Sequence, residues 1–266
     1  MIRPEHLRVG IVIIGSLLWD DSKEREAWRA RLKMSKRELV RVPIRYGRLS
    51  TAGKRKRKYT MTFSHSCYDG VGTGTAYVVP VRQEIATSNQ LRDEADALAL
   101  AEGFLDNKNI RVEKTLTDAN WKDFGAVGLW VREANTRSPE LAAVIADWPE
   151  FFVSRLDRSA RALGGYPDDE TPPVTSEGFM SLRWPVRVES TRALDFDLLL
   201  ATPNTPGLKA GEKYANPSEI AQSYLRSGDP LYFLDNVVNG IHTDDDAAIW
   251  HQMLDKSDVV FHGKQH

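Results

Sequence analysis

The longest apolar stretch near the start of the chain is Val9 to Trp19, read V-G-I-V-I-I-G-S-L-L-W. Its continuous β-branched run, Ile11 to Ile14, predicts a strand buried on both faces. The run stops at Gly15-Ser16, where glycine permits a sharp turn and close approach of a ligand to the backbone. Asp20 to Leu32 is rich in helix formers behind Asp-Asp-Ser and predicts a short helix or a solvated excursion. Glu38 to Ser50 and Tyr59 to Phe63 alternate apolar and polar residues and predict two half-buried strands of a hairpin. Gly74 to Val81 predicts another strand, after the turn-rich stretch Ser64 to Gly74.

Helical spacing begins at Thr87 and runs to Asp106. Ser88 or Asn89 is the expected cap, Leu91, Ala95, Leu98 and Ala99 share one face, and Gly103 ends the helix. Glu102 falls one turn beyond Leu98, beside that apolar face. Further strands are predicted at 110–116, 126–132, 182–188 and 195–202. Further helices are predicted at 139–146, 149–163, 217–226 and 231–240. A last one, capped by Thr243 or Asp244, runs to about Leu254. The Pro- and acid-rich stretch 166–178 reads as a linker and 203–213 as a loop.

Composition narrows the function classes. The chain has 266 residues, 41% hydrophobic and 27% charged, with a formal net charge of -1. This favours neither nucleic acid nor an anionic membrane as partner. No run approaches the ~20 apolar residues of a spanning helix. The polar N-terminus lacks a secretory core, and the single cysteine, Cys67, allows no intrachain disulfide; a cytoplasmic location is the expectation. The basic cluster Arg41, Arg45, Arg48 and Lys54 to Lys58 lacks interleaved aromatics and any nucleic-acid motif, and reads as a solvated hairpin tip. Scattered histidines give no metal-ligand spacing.

The Gly15-Ser16 turn is neither a Walker loop nor a dinucleotide fingerprint, and Ser16 lacks a nucleophile-elbow frame. Backbone N–H groups past such a turn can hold an anion.

Five short motifs occur in a telling order. They are Ile14-Gly15-Ser16-Leu17-Leu18-Trp19, Gly74-Thr75-Ala76-Tyr77 and Ala101-Glu102-Gly103-Phe104, then the pair Pro217-Ser218-Glu219-Ile220-Ala221 and Tyr232-Phe233-Leu234-Asp235-Asn236 near the C-terminus. In this the sequence resembles the γ-glutamylcyclotransferase-like superfamily, nearest its cation-transport-regulator-like, glutathione-specific branch. The match spans residues 8–133 and 195–254. The resemblance implies an α+β fold: a small mixed β-barrel with flanking helices and a largely helical insertion. Residues 1–136 would form the first part of the barrel, 137–192 the insertion, and 193–266 the barrel completion and C-terminal helices.

The activity implied is release of 5-oxoproline from a small γ-glutamyl compound, by attack of its own α-amine on the γ-carbonyl. Glu102 is then the catalytic base. Gly15, Ser16, Leu17 and Leu18 bind the substrate, with no metal and no organic cofactor required. Where the family has Tyr before Gly-Ser, this chain has Ile14. That departure keeps a second reading open: a non-catalytic module binding a small ligand or peptide on the same fold.

Overall fold

The computed structural model describes residues 6–50, 57–68, 73–104, 125–133, 138–156, 164–190 and 193–262, with backbone alone for Tyr68 and 256–262. The architecture is mixed α+β: a curled, half-barrel sheet with flanking helices. Strand β1 (Val9–Ile13) lies at its middle with all five residues buried, as its unbroken apolar run demands. It pairs antiparallel with β5 (Gly74–Pro80) on one edge and parallel with β8 (Leu198–Ala201) on the other. The six-stranded order is completed by β6 (Gly128–Val131) beyond β8, and by β2 (Glu38–Val42) and β7 (Val186–Arg187) beyond β5.

The stretch from Glu38 to Ser50 is two strands rather than the single one its alternation suggests. Pro43 has no N–H for a ladder and a fixed φ, so β2 stops there. Strand β3 (Ile44–Leu49) leaves the large sheet and forms a separate hairpin with β4 (Tyr59–Phe63). Pro185 interrupts the predicted strand 182–188 in the same way, leaving only β7. The predicted strand 110–116 lies outside the described residues, as do the hairpin tip 51–56 and the end of the predicted helix 149–163.

Helix α1 (Lys23–Arg29) follows the β1 turn, and α2 (Ser88–Glu102) follows β5. The cap of α2 is Thr87, not Ser88 or Asn89, because Gln90 three residues on completes a capping box with it. Gly103, with φ 78°, ends the helix as expected. Leu91, Ala95, Leu98 and Ala99 are buried against the core.

Short helices α3 (Pro139–Ile145) and α4 (Trp148–Arg155) pack on α2. Arg155 reaches Asp96 through two bonds of 3.1 and 2.5 Å, both side chains 6% exposed. The C-terminal helices are α5 (Pro217–Ser227), α6 (Leu231–Val238) and α7 (Asp246–His262). Asn216 caps α5 with Glu219 in a second capping box. No helix among the described residues is long and apolar enough to cross a membrane.

Removing one partner of a buried ion pair strands the other charge. Asp96→Ala should therefore lower the unfolding free energy by ~3–5 kcal/mol. Urea denaturation with an unchanged slope would measure it; a loss under about 1 kcal/mol would show that Arg155 finds other partners.

Candidate functional site

Three chain ends converge at one edge of the sheet. Because β1 and β8 run parallel, Ile14-Gly15-Ser16 and Thr202-Pro203-Asn204 emerge side by side. The C-terminus of α2 arrives there too, and it carries Glu102. The β3–β4 hairpin and Tyr232 of α6 close the other side. Between them lies a cavity of about 80 Å³, lined by Ile14, Gly15, Ser16, Arg25, Arg48, Ser50, Thr60, Met61, Glu102, Asn204 and Tyr232. At the ~10–15 Å³ a single water needs, this is room for a small metabolite fragment, not for a large cofactor.

Glu102 faces the cavity with its side chain 16% exposed. The Thr202 hydroxyl donates to its Oε1 at 3.0 Å, and Nη2 of Arg25 lies 3.6 Å from its Oε2. One contact is a hydroxyl donor, the other a cation. The glutamate is therefore held in place, partly out of water, and open to the cavity on its remaining side.

The turn after β1 is closed by Leu18 N–H donating to the Gly15 carbonyl at 3.0 Å and Asp20 N–H to the Ser16 carbonyl at 2.9 Å. The N–H groups of Gly15, Ser16 and Leu17 have no acceptor among the described residues. Gly15 lies close under Tyr232: a Cβ there would sit 2.9 Å from the hydroxyl, and the phenol would have to shift. That hydroxyl also accepts from Met61 N–H at 3.3 Å. The turn is anchored further along by Trp19, whose indole N–H donates to Asn236 Oδ1 at 2.9 Å. Its ring meets that of Tyr232 edge-on, 5.8 Å between centroids. Thus the motif 14–19 and the motif 232–236, far apart in sequence, are in direct contact.

Of the sequence-predicted site residues, Glu102, Gly15 and Ser16 line one cavity. Leu17 and Leu18 do not line it. The Leu17 side chain is buried in the core, and the Leu18 N–H is consumed in the turn.

Arg25, Arg48, Thr202, Asn204 and Tyr232 were not expected from the sequence. Arg25 did leave a signal: it stands three residues before Trp28, on the buried face of α1. Arg48 is out of the phase set by Ile44 and Tyr46: the pairing shifts at Gly47, so Arg48 comes opposite Thr60, and both line the cavity. Thr202 and Asn204 carry no such mark, since only parallel pairing with β1 brings them to the site.

The described members of the basic cluster have separate surroundings. Lys58 is buried in an ion pair with Asp229, Arg45 stacks on the Tyr214 ring at 4.3 Å, and Arg48 faces the cavity. Burial pushes the Cys67 thiol up to about 11, so it is not a thiolate nucleophile at neutral pH. No cluster of three or more His, Cys, Asp or Glu placed to hold a metal occurs among the described residues. No family model, curated protein or solved structure matches this chain.

Thr202→Val keeps the shape of the side chain and deletes its donor to Glu102. The expected cost is about 1–3 kcal/mol, read as a lower denaturation midpoint; no change in midpoint would show that solvent replaces the hydroxyl without loss.

Proposed function

We propose that the protein is a γ-glutamylcyclotransferase-like enzyme, releasing 5-oxoproline from a small γ-glutamyl compound. The observation that carries this reading is the meeting of the Glu102 carboxylate with the Gly15-Ser16 backbone in one small, cation-lined cavity. Such a cavity suits a ligand carrying both a carboxylate and an amine. The amides of Gly15 and Ser16 would take the α-carboxylate of the γ-glutamyl group, as donors fixed by the turn.

With the carboxylate held there, the α-ammonium falls to Glu102, which removes one proton. The freed amine attacks its own γ-carbonyl, forming the C–N bond of a five-membered lactam and a tetrahedral intermediate. Collapse breaks the bond to the leaving nitrogen; Glu102 returns its proton there, and the ring nitrogen gives up its second proton, which the released amine carries away as its ammonium. The products are 5-oxoproline and the released amine. Nucleophile and carbonyl share one molecule, so the protein's work is mainly orientation and proton transfer.

Ile14 stands where the resemblance expects a tyrosine. The Tyr232 hydroxyl, which reaches the same turn from α6, can supply a phenol to the cavity in its place. A second reading, a non-catalytic small-ligand or peptide-binding module, is favoured by the aliphatic Ile14 and by the guanidinium already facing Glu102.

Incubation with a panel of γ-glutamyl amino acids and amines separates the two. Wild-type protein is expected to generate 5-oxoproline, and folded Glu102→Gln to lose at least ~100-fold of that rate. Absence of 5-oxoproline across the panel would leave the binding reading standing. Equal turnover by Glu102→Gln would remove the glutamate from the mechanism.

A further inference from the structure

Arg25 contacts two of the elements that build the cavity. It lies in α1 with its side chain 10% exposed, so its charge must be matched locally. Nε donates to the Ala101 carbonyl at 3.1 Å, in the last turn of α2. Nη1 donates to Ser16 Oγ at 2.8 Å and lies 2.8 Å from Asp20 Oδ2. Nη2 faces Glu102 at 3.6 Å. One planar fork thus touches the β1 turn on one side and the end of α2 on the other. The turn supplies the free amides, and the end of α2 supplies the carboxylate. Both elements meet on this one side chain, so the guanidinium helps to set their separation.

We propose that Arg25 is a positioning residue, a clamp that fixes the distance between the amides of the turn and the Glu102 carboxylate. It acts through Ser16 and Ala101 and is not itself required to touch substrate. Lysine cannot replace it: a single ammonium on a shorter reach cannot meet acceptors on both elements. Its kinetic consequence rests on the cyclotransferase reading, whereas its mechanical consequence does not.

The test uses the full chain as wild type, Arg25→Gln, Arg25→Lys and Ser16→Ala. Amide exchange is followed segment by segment, together with 5-oxoproline formation from a γ-glutamyl amino acid. With the clamp removed, exchange should accelerate roughly tenfold or more in segments 14–20 and 99–104, and remain unchanged in β5. In Arg25→Gln, kcat should fall ~100-fold with KM within about threefold, and Arg25→Lys should recover less than a tenth of the rate.

Unchanged exchange in both segments overturns the proposal, as does uniform acceleration throughout the protein, which marks a purely structural arginine. Full rescue by lysine also overturns it, since a point charge would then suffice. Should Arg25→Gln fail to fold, Ser16→Ala decides the matter: it removes one of the guanidinium's two contacts to the turn, leaving Asp20, and must loosen 14–20 without loosening 99–104. A wild type that makes no 5-oxoproline defeats the cyclotransferase reading, and the exchange pattern still decides the clamp.

Discussion

Helix α2 carries three carboxylates out of solvent, and each is met by an arginine from another part of the chain. Glu94 receives Arg31 at 2.8 Å, Asp96 receives Arg155 at 2.5 Å, and Glu102 faces Arg25 at 3.6 Å. Buried charges are tolerated only when matched, so these pairs fix which segments can lie against the helix and at what height. Arg31 closes the end of α1, Arg25 its start, and Arg155 the end of α4. The apolar face of the helix supplies the driving force; the carboxylates supply the register.

The same constraint explains why Glu102 is usable at all. A carboxylate at a helix C-terminus sits at the negative end of the macrodipole, an unfavourable place. Arg25 compensates twice there, by bonding the Ala101 carbonyl and by facing Glu102. Gly103, in the left-handed region, then turns the chain away so that nothing of α2 continues past the carboxylate. The helix end is thereby both neutralised and left open towards the cavity.

Local pattern made much of this legible. The unbroken apolar run of β1, the helical spacing of α2 and the Pro217 opening of α5 are properties of short windows, and each appears where the pattern places it. Glu102 could be flagged because it follows an apolar stripe, and Gly15-Ser16 because a buried strand stops there. What the pattern could not supply was non-local. Leu198 to Leu200 reads as a strand, but nothing in it says that its partner is Val9 to Ile11. Thr202, Asn204 and Tyr232 reach the cavity only through such pairings. Pro43 was in plain view; its effect was missed because alternation on either side kept the same period across it.

The parallel pairing of β1 with β8 has a consequence for biosynthesis. Arg8 N–H bonds the Asp197 carboxylate at 2.7 Å across 189 residues, beside the strand pair itself. At ~5–20 residues per second, the ribosome needs on the order of 10–40 s to supply that partner. During this interval one edge of a wholly apolar strand is without its native neighbour, a template for wrong pairing. The nascent chain must shelter β1 through its antiparallel partner β5, which emerges far sooner. The cavity, by contrast, takes shape only when the last third of the polypeptide has been made.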